Sequence, residues 1–249
     1  MSDPIVLLHA FPLDSRLWDG LRPALGPRLL TPDLSGFGSA PPVSEPSLDA
    51  AASAVLATLD EHGVSRAVFG GCSMGGYVAM AVLRAAPERV SGLVLINTKA
   101  SADTEQARTN RHAMAARAEE EGIGWLADTM LTSLLGATTL AGRPSVEPVL
   151  RSLVADQSPA SVAWAQRAMA ARPDSLALLA GSGLPALIVR GDEDTMIPAD
   201  EADAMAGVLP DNERVDLPGV GHLAPLEDPA PLAATLTRWL DTHGRFTRE

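Results

Sequence analysis

Short apolar runs alternate along the chain with longer segments whose apolar positions recur every three or four residues. Ile5-Val6-Leu7-Leu8, Leu29-Leu30-Thr31, Val68-Phe69, Leu93-Val94-Leu95-Ile96, Leu187-Ile188-Val189 and Arg214-Val215-Asp216-Leu217 read as six strands. Near-continuous apolar strands separated by helical stretches predict a mainly parallel sheet flanked by helices on both faces. Helices are expected over 15–25, from Ser47 to about His62, after Ser73 up to Pro87, and over 229–243. Ser47 suits an N-cap, Gly63 a C-terminal stop and Pro229 a first helical turn.

Between Thr98 and Leu184 the rhythm changes. No strand pattern occurs there, and apolar spacing marks helices over 103–121, 123–135, 146–156 and 159–171. A helical insertion between two strands predicts a cap over the C-terminal edge of the sheet, where ligands bind in open α/β sheets. The expected organisation is a core of residues 1–98 and 185–249, with a helical cap, 99–184, inserted after the fourth strand.

Composition narrows the function. The chain has 249 residues, 46% hydrophobic and 20% charged, which is globular rather than disordered. A formal charge of −12 argues against a nucleic-acid or anionic-membrane surface and reads as a solvated acidic exterior. The single cysteine, Cys72, cannot form an intramolecular disulfide and suits a reducing compartment. The residues from Met1 to Ile5 lack a signal-peptide pattern, and no apolar run reaches transmembrane length. A cytoplasmic protein is expected. Monomer and homodimer are both open.

The candidate chemistry centres on Gly71-Cys72-Ser73-Met74-Gly75, between an apolar strand and the helix-period segment Tyr77–Leu83. In Gly-x-Ser-x-Gly the chain turns so sharply from strand to helix that the serine takes strained angles, and small residues on either side let the backbones pass. The serine then stands at a helix N-terminus, where N–H groups favour developing negative charge. A serine hydroxyl needs a base within hydrogen-bond reach, and the base needs an orienting acid.

Five histidines are available. His62 and His243 sit at helix ends before Gly63 and Gly244, His112 lies inside a cap helix, and His9 follows the first strand. His222, in Pro218-Gly219-Val220-Gly221-His222, occupies a loop after the last strand from which a base can reach the serine. The acid candidates are Asp192, Glu193 and Asp194. Asp194 is favoured because Thr195-Met196-Ile197-Pro198 returns the chain to the core and leaves it at the tip of the turn. The order Ser73, Asp194, His222 is the one expected of a Gly-x-Ser-x-Gly hydrolase. No Gly-x-Gly-x-x-Gly or Gly-x-x-x-x-Gly-Lys phosphate loop is present, and no His/Cys spacing suggests zinc. Neither a metal nor another cofactor is expected.

His9-Ala10-Phe11-Pro12 with Trp18, Asp33-Leu34-Ser35-Gly36-Phe37-Gly38, Gly71-Cys72-Ser73-Met74-Gly75-Gly76, Gly191-Asp192-Glu193-Asp194, and Gly221-His222 with Glu227-Asp228-Pro229 are spaced along the whole chain outside the cap. Together they resemble the α/β-hydrolase fold family, in its small capped esterase and 3-oxoadipate enol-lactonase-like form. The resemblance implies Ser73 as nucleophile, Asp194 as orienting acid, His222 as base, and an oxyanion hole from the backbone N–H groups of Phe11 and Met74. Three departures stand out. The N-terminal antiparallel hairpin is expected to be absent, Ala10 replaces a usual Gly, and Cys72 stands where many relatives have His. Cys72 is expected to turn away from the pocket and pack as a small hydrophobe.

The expected reaction is hydrolysis of small or medium apolar esters, including lactones, through an acyl-enzyme. Trp125, Leu131, Leu135 and Trp164 are the cap residues expected at the substrate pocket, with Met130, Leu134 and Met169 as further apolar candidates. The Phe11 and Met74 side chains are expected there too. Arg108 and Arg111, one turn apart, read as surface residues. Facing inward, they would bind a substrate carboxylate and favour a lactonase. Perhydrolysis or C–C bond hydrolysis with the same triad, and a ligand-sensing or partner-binding protein with a slow hydrolase site, are the competing readings.

Overall fold

The computed structural model describes residues 3–243. Met1, Ser2 and Gly244, which entered the readings of the N-terminus and of His243, lie outside the described residues. The strands are β1 (Ile5–Leu8), β2 (Leu29–Leu30), β3 (Ala67–Cys72), β4 (Val90–Ile96), β5 (Ala186–Gly191) and β6 (Asn212–Leu217). They form one sheet in the order β2-β1-β3-β4-β5-β6, and every neighbouring pair is parallel. β1, β3 and β4 are buried at every residue, which explains their unbroken apolar sequence. β6 alternates only weakly because it is the edge strand, with Glu213, Arg214 and Asp216 discouraging further pairing.

The helices are α1 (Arg22–Leu25), α2 (Leu48–Glu61), α3 (Met74–Ala85), α4 (Glu105–Glu121), α5 (Leu126–Leu134), α6 (Ala137–Gly142), α7 (Val146–Ala155), α8 (Pro159–Ala170), α9 (Leu176–Ala180), α10 (Ala199–Val208), α11 (Ala224–Glu227) and α12 (Pro229–His243). The Ser47 hydroxyl accepts from the Asp49 and Ala50 N–H groups, and Gly63 follows α2 at φ 67. The helix expected over 15–25 is instead a 3-10 segment, Ser15–Leu21, followed by the single turn α1. Pro23 has no N–H to offer the Asp19 carbonyl, which takes the Arg22 N–H in a tighter turn. The four helices expected between β4 and β5 correspond to α4, α5, α7 and α8; α6 and α9 are additional short turns. α10 buries only Ala202 and Met205, too small a face to show in the sequence.

Chain direction determines where chemistry can occur. The sheet grows from β1 to β2, then returns to the opposite side of β1 with β3. The connections therefore diverge at the C-terminal ends of β1 and β3, leaving a crevice between them. The β1 end carries His9-Ala10-Phe11, and the β3 end carries Ser73.

Candidate active site

Ser73 sits between β3 and α3 at φ 53 and ψ −113, a left-handed conformation that costs a non-glycine residue about 1–3 kcal/mol. The packing leaves no alternative. A Cβ on Gly71 would lie 2.3 Å from the Gly75 carbonyl carbon, and one on Gly75 would lie 1.9 Å from the Leu8 carbonyl oxygen. The Ser73 N–H donates to the Ile96 carbonyl at 3.0 Å, and the Thr98 hydroxyl donates to the Ser73 carbonyl at 2.8 Å. The turn is thus anchored to the end of β4 and to the loop just after it.

His222 and Asp194 meet from separate loops. Nδ1 of His222 is 2.8 Å from Oδ2 of Asp194, and both side chains are almost fully buried. The carboxylate can only accept, so Nδ1 carries the proton. Oδ1 of Asp194 accepts from the Met196 and Ile197 N–H groups at 2.8 and 3.1 Å. Nε2 of His222 is buried with no hydrogen-bond partner among the described residues, so its lone pair is unengaged. No hydrogen bond joins it to the Ser73 hydroxyl; such contacts commonly tighten only when substrate is present.

The three consecutive acids have separate roles. Asp192 accepts the Gly219 N–H at 2.7 Å, holding the loop that leads to His222. Glu193 accepts the Thr138 N–H at 2.8 Å and its hydroxyl at 2.5 Å. These bonds, the hydroxyl's first, hold the Glu193 carboxyl below its ordinary pKa. Asp194 alone meets the histidine.

Sequence reasoning missed two residues that tie these loops together. Asn97, at φ 45, donates Nδ2–H to the Gly221 carbonyl at 2.6 Å and accepts the Gly191 N–H at 3.0 Å. It links the acid turn to the histidine loop, and its left-handed angle at a strand end, which Asn tolerates, is the signal that could have identified it. Glu227 is buried, and its Oε2 accepts the Gly136 and Gly221 N–H groups at 2.8 and 3.0 Å. Its Oε1 accepts the Leu223 N–H at 3.0 Å. One carboxylate therefore holds the residues on both sides of His222 and the segment just before α6. Glu227 belongs to the quoted Glu-Asp-Pro motif, but only its fold neighbours reveal this task.

Burial presses the His9 pKa down, and the ring is held as one tautomer: Leu34 N–H donates to Nε2 at 2.9 Å while Nδ1–H donates to the Ala10 carbonyl at 3.1 Å. A neutral imidazole so fixed shapes the turn carrying Phe11. Cys72 is fully buried, with Sγ 3.5 Å from the His222 carbonyl. Burial first, then the nearby Asp194 and Glu227 charges, pushes its thiol well above the ordinary range. A thiolate is disfavoured there, so Cys72 is no competing nucleophile.

A cleft of about 410 Å³ opens at Ser73. Phe11, Met130, Met169 and Ile197 form an apolar part of its wall. The four side chains expected at the pocket are not among its lining. Trp125 packs under the Arg117 guanidinium at 3.9 Å and donates to the Gly122 carbonyl, stabilising the insertion itself. Trp164 donates to the Glu45 carbonyl at 3.0 Å, pinning α8 to the loop before α2. Leu135 is buried in the apolar core, and half-buried Leu131 packs against it. Met74 is likewise a core residue rather than a cleft residue, so of the pair Phe11 and Met74 only the Phe11 side chain lines the wall. Helical periodicity identified which positions turn inward but not which interior they enter.

The two arginines separate as well. Arg108 pairs with Glu105 at 3.0 Å on the exposed side of α4. Arg111 lines the cleft, with Nε 2.5 Å from Asp103 Oδ2. Asp103 also receives Arg172 at 2.8 Å. Burial opposes ionisation of Asp103, but the Arg172 and Arg111 hydrogen bonds outweigh it and hold its pKa down at about 2 against an ordinary 3.8. A depressed folded-state pKa stabilises the fold above the ordinary value, and that contribution disappears as pH falls through about 2. Asp103→Asn is expected to cost about 2 kcal/mol at neutral pH, the difference from wild type closing as the medium is acidified. Urea unfolding at about pH 7, 4 and 2.5 checks this.

Among the described residues, no cluster of three or more His, Cys, Asp or Glu is placed to hold a metal, and no helix is long and apolar enough to cross a membrane.

Comparison with known proteins agrees with this layout. A sequence model of the α/β-hydrolase fold matches residues 3–229. The chain is similar to a pimeloyl-acyl-carrier-protein methyl ester esterase of Aromatoleum aromaticum, 30% identical over 93% of this chain and 96% of that protein. Among solved structures, a malate-bound thermophilic esterase from Thermogutta terrifontis superposes with a TM-score of 0.94 at 35% identity, covering 98% of this chain and 91% of that one. An enol-lactonase from Burkholderia xenovorans shares the fold, with a TM-score of 0.87 at 24% identity over 97% and 92% of the two chains. Two longer curated relatives match over nearly all of this chain, which spans only 64% and 48% of their lengths.

Proposed function

The chain belongs to the α/β-hydrolase fold family, and from that premise we propose that it is a serine hydrolase of carboxylic esters, lactones included. The observation that carries the reading is the buried His222: Nδ1 is bound to Asp194 while Nε2 is unengaged, at the same sheet edge as the strained Ser73. In this reading Nε2 takes the Ser73 proton as Oγ attacks the ester carbonyl carbon. Asp194 holds the ring and stabilises the imidazolium. The backbone N–H groups of Phe11 and Met74, which meet no acceptor among the described residues, receive the oxyanion. Each such donor is worth about 3–4 kcal/mol in a comparable site. His222 then returns the proton to the leaving alkoxide, and water attacks the acyl-enzyme with His222 as base.

Residues 99–184 serve as the cap in this proposal. Arg111, Met130, Gln166 and Met169 contribute to the cleft wall beside Ser73, which supports that role. The apolar Phe11, Met130, Met169 and Ile197 suit a small to medium acyl chain. Ester substrates are favoured over the alternatives with the same triad because the relatives matching at 30% and 35% identity are esterases. The chemistry requires no cofactor beyond water, and a buried, reduced Cys72 is consistent with a cytoplasmic site of action. The test is turnover of 4-nitrophenyl esters of graded acyl length. Hydrolysis peaking at a short or medium chain supports the reading; no hydrolysis of any ester or lactone would overturn it.

A further inference from the structure

Three cations meet around two carboxylates, and two of the cations, Arg111 and Lys99, reach the cleft wall. Arg111, Arg172 and Lys99 surround Asp103, whose oxygens lie 2.5, 2.8 and 3.7 Å from them in turn. Glu201 is the other acid, 3.7 Å from Lys99 and also accepting the Ser101 hydroxyl. Among the described residues, one positive charge in this group is left without a counter-charge. Such an imbalance between partly buried groups favours an anion that completes it.

Arg111 and Lys99 both line the cleft that contains Ser73. Arg111 uses Nε on Asp103 and Nη1 on Gln166 Oε1, at 3.2 Å, and on the Met169 sulfur, at 3.3 Å. Its Nη2 has no acceptor among the described residues. A guanidinium held in place through Nε and Nη1, with the terminal Nη2 amino group unengaged, is prepared to donate to a second carboxylate. Apolar Met130, Met169 and Ile197 belong to the same wall.

Resting on the hydrolase reading above, we propose that the preferred substrate is an ester carrying a free carboxylate, which Arg111 and Lys99 bind while Ser73 attacks the ester carbonyl. The cation pair is then a specificity device, selecting acidic esters over neutral ones of the same length.

The first experiment compares monomethyl glutarate with methyl pentanoate, equal in chain length, by methanol release. A second arm places the carboxylate on the alcohol side, comparing carboxymethyl pentanoate with ethyl pentanoate. A preference of at least about tenfold in kcat/KM for the acidic ester is expected in one arm, and that arm identifies which half carries the charge. Arg111→Met should reduce that ratio at least about tenfold, with Arg111→Lys retaining part of it. Ratios within about twofold of unity in both arms, or an unchanged ratio in Arg111→Met, would overturn the proposal. Binding of monomethyl glutarate and methyl pentanoate to the Ser73→Ala protein, read by calorimetry, separates the two readings. Selective binding of the acid that Arg111→Met abolishes upholds the anion site even if the serine proves not to be the nucleophile. Equal binding of both esters sinks the anion site while leaving the hydrolase reading standing.

Discussion

Ser73→Ala is expected to lower kcat for ester hydrolysis by about 10⁴–10⁶-fold with the fold intact. The hydroxyl is the only protein group in the proposed mechanism that bonds to the acyl carbon, so no other side chain replaces it. Stability should barely change, because alanine accepts the same backbone constraint and the N–H and carbonyl anchors to Ile96 and Thr98 involve the main chain of residue 73 or the Thr98 hydroxyl. His222→Ala should be nearly as damaging, and the double variant little worse than either single one, since members of a triad act as a unit. Steady-state kinetics of the three variants, with thermal melts alongside, provides the test. A Ser73→Ala protein with most of its activity would rule the serine out as nucleophile.

Glu227→Ala should damage both stability and turnover. It leaves the buried N–H groups of Gly136 and Gly221 without their acceptor, whereas the Leu223 N–H keeps a second one in the Leu134 carbonyl at 3.2 Å. At about 1–3 kcal/mol for each orphaned donor, the loss is at least about 2 kcal/mol. That corresponds to a fall of about 4–8 °C in Tm for a domain of this size. The residues on both sides of His222 lose their restraint together, so kcat should fall about 100-fold, as misplacing a catalytic group by 1 Å can do. Glu227→Gln keeps one carbonyl oxygen and should recover part of both losses. Differential scanning calorimetry and kinetics on the two variants check the pattern. Wild-type stability in Glu227→Ala would show that the Gly136 and Gly221 donors find other partners.

The strands and the serine turn were legible because each depends on local spacing. A buried parallel strand must be apolar throughout, as in β1, β3 and β4. The Gly71 and Gly75 contacts are short enough that almost any chain making this turn must have glycine there. Ser47, Gly63 and Pro229 announced helix ends because capping acts within a few residues.

Other features depended on which distant loops the sheet brings together. Asp192, Glu193 and Asp194 are neighbours in sequence, yet one meets Gly219, one Thr138 and one His222. α4 buries only Ala115 and Ala118, so its polar sequence carries no periodic sign that Arg111 turns toward the cleft and Arg108 toward solvent. Trp125 and Trp164 satisfy the apolar pattern of the insertion by packing it internally and against the Glu45 loop. By itself the sequence determined the parallel sheet and the serine turn, because short-range sterics and periodicity dictate them. Only the tertiary structure decided the partner of each carboxylate, the lining of the cleft and the excess positive charge beside Ser73. Those arise from contacts between segments far apart in the chain, whose meeting no local pattern encodes.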